Sequence, residues 1–517
     1  MSNAPRVSTR IIEAFVRHAT YPAISAPDGT RTYDEMLRDS RNLFLHISRL
    51  SDKLSFFVAT TKHYGTYLAA LTGVAHELGY VPINPALPPD RVESILHAVD
   101  ADVLIATETD RRWAQALIDL GLVRNAIILP IAGTANEVSI LGKRPDLSLA
   151  ADGAGAENHD PIAYVLFTSG TTGTPKGIPI RHSQLDAYLT AISSIVALRP
   201  SDRCSQVFEL SFDLSVHDMF ATWMAGACLC IPSKRDTFNL GAYIMRENIS
   251  VFFCVPSAIR SILIGSARLR AALDSLRLSL FCGEALTTND ARQWLKVAEH
   301  STLINLYGPT ESTIAISSFK CNAQDLEMLS FNTVPIGLPI GDSRFYLEDE
   351  ADGAGQLCVS GRQVFGGYLD QSRNDQAFAK LEIDGAEVCT YRTGDIVALS
   401  DRFGYVFKGR TDDQVKVNGF RIELLDIEAT VERHLMEAVV YAFAHQVDGA
   451  TSLELHVYHP GVSLEEVRRA CADHLPSYMM PRRISSLQRA YFNSNGKKDR
   501  RAARQELVGS LCQEIGK

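Results

Sequence analysis

The chain has 517 residues, 46% of them hydrophobic and 21% charged, a balance typical of a globular protein large enough for several domains. Its formal net charge of −9 disfavours a role in binding nucleic acid, which usually needs a basic excess. No apolar stretch predicts a membrane span, and no secretory signal is recognisable. With ten scattered cysteines, these features lead us to expect a reduced, cytoplasmic protein.

Strand-like and helix-like patterns alternate through most of the chain. Strands are predicted at residues 55–60, 102–107 and 161–169, and a helix at residues 64–77. This alternation predicts an α/β fold in which helices cross between parallel strands. The stretch 133–160 is rich in Ala, Gly, Asp and Asn and predicts a loose connection.

A loop rich in glycine and hydroxyl residues, LFTSGTTGTPKG at residues 166–177, comes at the end of the third predicted strand. Its three glycines let backbone amides approach a ligand closely. The amides, the hydroxyls and Lys176 suit a polyphosphate, because such groups form an anion nest. The loop is not a Walker A motif, since Lys176 is followed by Gly177 rather than by Ser or Thr.

The composition and the pattern of predicted elements change near residue 409. The run GRTDDQVKVNGFRIE is polar and rich in turns, and alternating helix-like and strand-like segments follow it up to residue 475. That is enough material for a separate α+β domain of about a hundred residues. We therefore predict a large N-terminal domain of sheets with packed helices, residues 1–411, and a small C-terminal domain, residues 412–517.

Seven motifs in one order give the chain a resemblance to the adenylate-forming superfamily, which includes acyl-CoA synthetases, luciferases and the adenylation domains of nonribosomal peptide synthetases. Besides the loop at 166–177 they are LAALTGVAHELGYVPINPALPPDR at 68–91, NLYGPTEST at 305–313, YRTGD at 391–395, GRTDDQVKVNGFRIE at 409–423, LPSYMMP at 475–481 and NGKKDR at 495–500. The resemblance covers nearly the whole chain. It implies that a carboxylic acid is activated with ATP.

The resemblance also implies an ATP site with Mg²⁺. Glu311 is expected to hold the metal, Asp395 to accept both ribose hydroxyls, and Tyr307 to stack on adenine. Lys497 is the expected catalytic residue, contacting the substrate carboxylate and the α-phosphate, and Asp412 is the expected hinge of a mobile small domain. The residues expected around ATP or AMP are Thr168, Ser169, Gly170, Thr171, Thr172, Lys176, Gly283, Glu284, Asn305, Tyr307, Gly308, Thr310, Asp395 and Arg410.

The substrate is indicated by SFDLSVHDMF at residues 211–220, which is similar to the substrate motif of amino-acid adenylating members. Asp213 falls where those enzymes hold the α-ammonium group, a partner that a buried carboxylate needs. The other pocket positions carried over are Leu214, His217, Cys254, Leu280, Cys282, Leu306, Ile314 and Ala315. This mostly apolar wall implies a small aliphatic amino acid. His217 is either a polar contact to the substrate or a histidine satisfied within the protein.

Within the superfamily, FCGEAL at residues 281–286 resembles D-alanine–carrier-protein ligases, whereas the pocket leucines resemble free-standing prolyl-adenylating enzymes. Twenty residues follow Lys497, so we expect no fused carrier domain there and a separate carrier protein with a phosphopantetheine arm as the acceptor. One alternative is an acyl- or aryl-CoA synthetase. Another is a nucleotide-binding regulator without catalysis. The stereochemistry of the amino acid is not readable from these motifs.

Overall fold

The computed structural model describes residues 6–131, 137–142, 160–170, 174–263, 273–351, 353–383, 385–435, 438–447, 450–459, 461–492, 498–500 and 502–505. The chain forms two compact units. The first comprises Met1–Pro85, Val92–Phe167 and Lys176–Asp412, and the second comprises Ala86–Arg91, Thr168–Pro175 and Asp413–Lys517. No helix within the described ranges combines the length and the apolar character that crossing a bilayer requires.

Three sheets form the framework of the first unit. A seven-stranded sheet has the spatial order Ser139–Gly142, Asn125–Leu129, Val103–Thr107, Ser55–Ala59, Gly79–Ile83, Ile162–Thr168 and Lys176–Arg181. A nine-stranded sheet has the order Leu338–Pro339, Ser317–Cys321, Thr302–Tyr307, Leu278–Phe281, Val251–Cys254, Arg203–Ser205, Cys228–Cys230, Pro22–Ala26 and Gly29–Thr32. The third sheet has the order Arg344–Ala351, Ala354–Ser360, Ala386–Ser400 and Phe378–Ile383, with Gly404–Arg410 also paired to Ala386–Ser400.

The inner strands of the two larger sheets run parallel, while strands at their edges pair antiparallel. Helices connect the parallel strands, as a crossover requires. The helices outside the C-terminal segment are Val7–Arg17, Tyr33–Leu50, Tyr64–Ala75, Pro89–Ala98, Arg111–Asp119, His182–Val196, Asp213–Met224, Leu240–Arg246, Pro256–Leu263, Thr288–Val297, Ala323–Met328 and Asn374–Ala377.

The helix Tyr64–Ala75 shows how local sequence sets the layers. All of its residues are buried, since small and apolar side chains cover its whole circumference. The helix Tyr33–Leu50 instead carries a charged outer face and begins at a capping box, in which Thr32 and Glu35 satisfy each other's backbone amides. Side chains from all three sheets and the helices between them share one continuous apolar core.

Among its described residues, the second unit contains two small sheets and two longer helices, and residues 502–505 are also helical. The strands Gln414–Val417 and Phe420–Glu423 form a hairpin, and Val439–Val447, Ala450–Tyr458 and Arg483–Ser486 form a three-stranded sheet. The helices Leu424–His434 and Leu464–His474 supply apolar side chains to a core of their own. This α+β arrangement is the one predicted for the C-terminal part of the chain.

The α/β class is confirmed, and the three strands and the helix predicted from periodicity are present with ends that agree or differ by at most two residues. The stretch 133–160 differs from its prediction, because it contains the strand Ser139–Gly142. This strand pairs antiparallel with Asn125–Leu129 at the edge of its sheet, where pairing rather than apolar alternation decides the structure. Residues 143–159 lie outside the described ranges.

Candidate active site

The clearest polar constellation of the first unit joins the ends of two strands around Asp395. Tyr307, the last residue of Thr302–Tyr307, donates a hydrogen bond of 2.5 Å from its hydroxyl to Asp395 Oδ2. Arg410 stands opposite Asp395 in the strand register and forms an ion pair with Oδ1. Asp395 is 4% exposed, so both of its oxygens are held by partners away from bulk water. A charged pair of this kind can accept from, and donate to, a ribose.

Two further partners fix these groups. Arg410 also donates from Nε and Nη2 to the two oxygens of Asp412, at 2.7 and 2.8 Å, so the expected hinge residue orients the arginine. The Asp395 backbone amide donates to Thr393 Oγ1 at 3.0 Å. Burial, together with the adjacent Asp395 charge, holds the pKa of the Tyr307 hydroxyl well above its usual value, so the phenol keeps the proton that it donates.

Glu311 lies in the short turn Thr310–Ser312 and is fully buried. Tyr368 donates from its hydroxyl to Glu311 Oε1 at 2.8 Å, and the Phe365 amide donates to the Glu311 carbonyl oxygen at 2.7 Å. A neutral phenol orients a carboxylate without cancelling its charge. Oxygen donors of this type fit Mg²⁺, so the residues present are compatible with the metal role expected for Glu311.

The backbone beyond Glu311 is strained. Thr313 and Ile314 have φ angles of 56° and 74°, a left-handed conformation that β-branched residues avoid. Gln363 spans the turn: its carbonyl oxygen accepts from Thr313 Oγ1 at 2.6 Å, and its side-chain amide donates to the Ala315 carbonyl oxygen at 2.8 Å. The turn also brings residue 315 against Gly308, where a Cβ would lie 2.7 Å from Ala315 Cα. Strain of this kind clusters at functional sites.

Four of the nine predicted substrate positions lie at the carboxyl ends of three adjacent parallel strands. Cys254 ends one strand, Leu280 and Leu306 lie near the ends of the next two, and Cys282 follows directly. In open α/β sheets this edge is where ligands bind. All nine predicted positions are buried, and the following share one apolar cluster: Leu214, Leu280, Cys282, Leu306, Ile314 and Ala315.

Asp213 is the first residue of the helix Asp213–Met224, with Phe212 at the cap position, and it is 9% exposed. A carboxylate in the first turn of a helix is stabilised by the helix dipole. Its place in a mostly apolar wall fits an ammonium ligand.

His217 lies one turn further along the same helix and is hydrogen-bonded through Nδ1 to the Tyr188 hydroxyl at 2.6 Å. Its ring also packs edgewise on Phe253, with centroids 4.9 Å apart. Burial lowers the pKa of His217 to about 3, so the ring is neutral at physiological pH. The Tyr188 hydroxyl is the partner that His217 needs if the histidine is satisfied within the protein. The structure therefore favours this interpretation over a polar contact to the substrate.

Other expected nucleotide residues have structural partners. Glu284 accepts from the Ser257 amide at 2.9 Å, at the start of the helix Pro256–Leu263, while Gly283 turns the chain with a φ of 89°. Asn305 donates from its side chain to the Pro335 carbonyl oxygen at 2.9 Å. Lys176 begins the strand Lys176–Arg181.

Residues 168–175 of the phosphate loop belong to the second unit, whereas its first two and last two residues belong to the first unit. The Ser169 hydroxyl donates to the Arg421 carbonyl oxygen at 2.8 Å and accepts from the Glu423 amide at 3.0 Å, and Gly170 beside it is buried. Thr168 Oγ1 is buried with no hydrogen-bond partner among the described residues. An unsatisfied buried hydroxyl fits a phosphate oxygen. Thr171 and Thr172 lie outside the described residues.

Lys497, the expected catalytic residue, also lies outside the described residues. Its neighbour Lys498 has a structural place, because its ammonium donates to Glu428 Oε2 at 2.7 Å and to Glu432 Oε1 at 2.8 Å. Arg500 forms a second ion pair with the buried Glu428. Two cations of the NGKKDR motif therefore compensate one buried carboxylate.

Comparison with known proteins decides the family. A family model described as AMP-binding enzyme matches residues 13–369. The chain belongs to the family of AMP-binding enzymes. It is 31% identical over 519 residues to an L-proline--[L-prolyl-carrier protein] ligase of Streptomyces coelicolor, covering 94% of this chain and 93% of that relative. This AMP-binding enzyme is therefore an AMP-forming ligase.

Two further matches extend the comparison. Malpinin synthetase of Mortierella alpina is 28% identical over 512 residues, which cover 93% of this AMP-binding enzyme but only 6% of the length of that relative. The crystal structure of the adenylation domain AlmE of Vibrio cholerae, in complex with glycyl-adenosine-5'-phosphate, is 25% identical with a TM-score of 0.79. The alignment with AlmE covers 98% of this chain and 99% of the other.

Three residues of this AMP-binding enzyme were missed by sequence reasoning: Tyr188, Gln363 and Tyr368. Tyr188 and Tyr368 each form a hydrogen bond with a predicted site residue, and Gln363 spans the strained turn after Glu311. All three are buried. A lone tyrosine is more often part of the core and a lone glutamine is more often on the surface, so neither carries a local signal of a site. Only their partners, 29, 48 and 57 residues away, reveal them.

Proposed function

We propose that this enzyme activates a small aliphatic amino acid, alanine or a proline-like one, as its adenylate and then transfers it to the phosphopantetheine thiol of a separate carrier protein. The observation that carries the proposal is Asp213, a carboxylate 9% exposed at a helix start beside a mostly apolar set of pocket positions. A fatty or aryl acid offers nothing to pair with this charge, whereas an amino acid offers its ammonium group.

The first step joins two anions. A carboxylate oxygen of the amino acid attacks the α-phosphorus of ATP, the bond to the bridging oxygen breaks, and pyrophosphate leaves with that electron pair. In our proposal Asp213 holds the ammonium group, Asp395 with Arg410 holds the ribose, and Tyr307 packs against adenine. Lys497 supplies positive charge where negative charge accumulates.

Glu311 is the residue that we propose for Mg²⁺, with Tyr368 fixing its orientation. A divalent cation bound there would neutralise phosphate charge and orient the triphosphate. The unsatisfied Thr168 hydroxyl supports a place for phosphate oxygens in the loop. We place the reaction in the cytoplasm, where ATP is supplied.

In the second step the thiolate sulfur attacks the acyl carbon, the carbon–oxygen bond to phosphate breaks, and AMP leaves. We propose that the C-terminal residues 412–517 rotate about Asp412 between the two steps, which would withdraw Lys497 and admit the thiol. Support for the substrate class comes from the relatives, since one is named for L-proline and its carrier protein and the solved AlmE complex contains glycyl-adenosine-5'-phosphate.

The test is ATP–pyrophosphate exchange with individual D- and L-amino acids, and with fatty and aryl acids as competitors. We expect exchange with alanine, proline or another small aliphatic amino acid, and its loss in Asp213→Asn. The matched control is Asp218→Asn, a buried aspartate one turn along the same helix. Exchange with only fatty or aryl acids would overturn the role of Asp213, and a preference for aromatic or acidic amino acids would overturn the pocket assignment.

The acceptor needs its own measurement. Once the amino acid is known, AMP release is followed with a phosphopantetheine-loaded carrier protein or with free coenzyme A. We expect a thioester on the carrier protein that survives acid and is released by hydroxylamine. Turnover with coenzyme A and none with carrier proteins would identify an acyl-CoA synthetase type of ligase instead.

A further inference from the structure

A group of three potential metal ligands lies in the second unit, outside every residue assigned to adenylation. It consists of Asp90, His434 and His474, whose ligand atoms all lie within 4.8 Å of one another. The two imidazole rings stack with centroids 3.4 Å apart and planes 4° from parallel, and His474 Nδ1 lies 3.9 Å from Asp90 Oδ2. We propose that Asp90, His434 and His474 bind a divalent transition-metal ion of the Zn²⁺ class.

The spacing is close to what such an ion needs. With Zn–N bonds of about 2.0–2.1 Å, the ligand atoms of a tetrahedral site lie about 3.3 Å apart. Because parallel rings direct their in-plane lone pairs along parallel lines, binding one ion requires at least one imidazole to turn out of the stack. Two imidazoles and one carboxylate form the donor set of three-ligand zinc sites, which leave a fourth position for water.

The local electrostatics favour a bound cation. His434 is the last residue of Leu424–His434, and His474 is the last residue of Leu464–His474. Both ligands therefore lie at the negative end of a helix dipole.

A second ion pair fixes the third ligand. Arg91, next to Asp90, forms a bidentate pair with Asp426 of the helix Leu424–His434, with distances of 2.7 and 3.1 Å. Both side chains of this pair are buried. Asp90 is thereby held beside the helix that carries His434. All three ligands lie on helices, so helices rather than loops set the positions of their backbones.

The donor set also separates this site from the Mg²⁺ site proposed at Glu311. Imidazole nitrogen suits Zn²⁺, Cu²⁺ and Ni²⁺, whereas Mg²⁺ prefers oxygen donors and keeps its waters. Excess Mg²⁺ should therefore leave the triad of Asp90, His434 and His474 free to bind Zn²⁺. The proposal depends on neither ATP nor the amino acid, so its test is independent of the adenylation test.

The experiment titrates Zn²⁺ into the full-length, tag-free protein after chelator treatment, by calorimetry in excess Mg²⁺. We expect one tight equivalent and a rise in Tm, since an ion that binds only the folded state stabilises it. His434→Ala and His474→Ala should each weaken binding by more than the roughly 10- to 100-fold that loss of an outer-shell partner costs. Asp90→Asn should weaken it less.

The matched control is His445→Ala. His445 is a partly exposed histidine facing a carboxylate, with Nε2 3.6 Å from Glu454, but it does not belong to the triad. Its removal should leave the tight equivalent unchanged. Co²⁺ binding adds a spectroscopic check, because thiolate ligands give intense ultraviolet bands that a nitrogen–oxygen site lacks. Cys389 is an exposed cysteine outside the three proposed ligands. The proposal fails if no tight equivalent binds, if binding survives both histidine substitutions, or if Cys389→Ser abolishes it.

Discussion

Tyr307 and Asp395, 88 residues apart in the sequence, meet through a hydrogen bond of 2.5 Å in the interior of the first unit. The phenol covers one oxygen of the carboxylate while Arg410 pairs with the other. Asp395 is the residue proposed to bind the ribose, and its position depends on Tyr307. The ring of Tyr307 is in turn proposed to contact the base. One hydrogen-bonded pair of side chains would thus couple recognition of the base to recognition of the sugar.

The first prediction concerns that pair. Tyr307→Phe keeps the ring but removes the hydroxyl, which should loosen Asp395 because a hydrogen bond to a charged group is worth about 1.5–3 kcal/mol. We expect the KM for ATP in the exchange assay to rise about tenfold. The KM for the amino acid should change little. An unchanged KM for ATP would show that Arg410 alone positions the carboxylate.

Glu311→Gln tests the proposed metal ligand. The substitution retains size and an oxygen acceptor for Tyr368 but removes the charge, so we expect the exchange rate to fall at least about 100-fold, in line with the several kcal/mol that a bound metal supplies. The Mg²⁺ concentration for half-maximal rate should rise. Tyr368→Phe is the matched control, with a smaller loss of about 10- to 100-fold. Equal Mg²⁺ dependence in the wild type and Glu311→Gln would contradict the assignment.

The adjacent lysines Lys497 and Lys498 should separate catalysis from stability. Lys497→Ala should lower kcat for exchange by about 100- to 1,000-fold, as the loss of one group that stabilises a transition state does. Lys498→Ala should retain exchange at low temperature but lower the free energy of unfolding by about 1–3 kcal/mol, because Glu428 and Glu432 lose a partner. Exchange kinetics measure kcat, and urea unfolding measures the free energy of unfolding, for both variants. The reverse pattern would mean that the motif is displaced by one residue.

Buried histidines should make the fold sensitive to acid. Burial lowers the pKa of His217 to about 3, and it lowers the pKa values of His76 and His182 to about 4. In the unfolded chain these groups accept protons near pH 6.5. Unfolding therefore takes up protons between about pH 4 and 6.5, so the free energy of unfolding decreases as pH falls through this range.

Urea unfolding at several pH values measures the slope. His217→Asn should reduce proton uptake at pH 5 by about one proton, because one titrating group is removed from the unfolded state. The comparison is of slopes, so the loss of the hydrogen bond to Tyr188 does not confuse it. Identical slopes for the wild type and His217→Asn would refute the burial argument for this residue.

Arg91 and Asp426 provide a test of the second unit. Arg91→Ala leaves Asp426, whose side chain is fully buried, without its bidentate partner, and we expect a loss of about 3–5 kcal/mol in the free energy of unfolding. The double variant Arg91→Ala/Asp426→Ala should be less destabilised than the sum of the single variants, because no unpaired charge remains. Additive losses would indicate that the two residues act independently.

Much of the fold was predictable because periodicity and turn residues act locally. The helix Tyr64–Ala75 and the strand Val103–Thr107 follow directly from their apolar patterns, and motif order led to Asp395 and Glu311. The short edge strand Ser139–Gly142 was missed because its pairing, not its composition, defines it. The boundary at residue 412 and the roles of the site residues stay predictions.

What local patterns could not supply is pairing across the chain. Arg91 ends the motif at residues 68–91, yet its partner Asp426 is 335 residues away. Gln363 has no motif at all and is recognisable only through the strained turn at Thr313 and Ile314 that it spans. Such contacts depend on how distant segments pack, and a single sequence carries no direct record of them.

The composition of the second unit has a practical consequence for dissecting the gene. Residues 86–91 and 168–175 belong to that unit although they are encoded far upstream of Asp413. A fragment beginning at Asp413 would keep Asp426 without Arg91, and the amide of Glu423 without the Ser169 hydroxyl. Expressed alone, the fragment would lack the contacts that residues 86–91 and 168–175 make in the intact chain. Complementation with peptides of those residues, rather than simple truncation, is the route to an isolated C-terminal half.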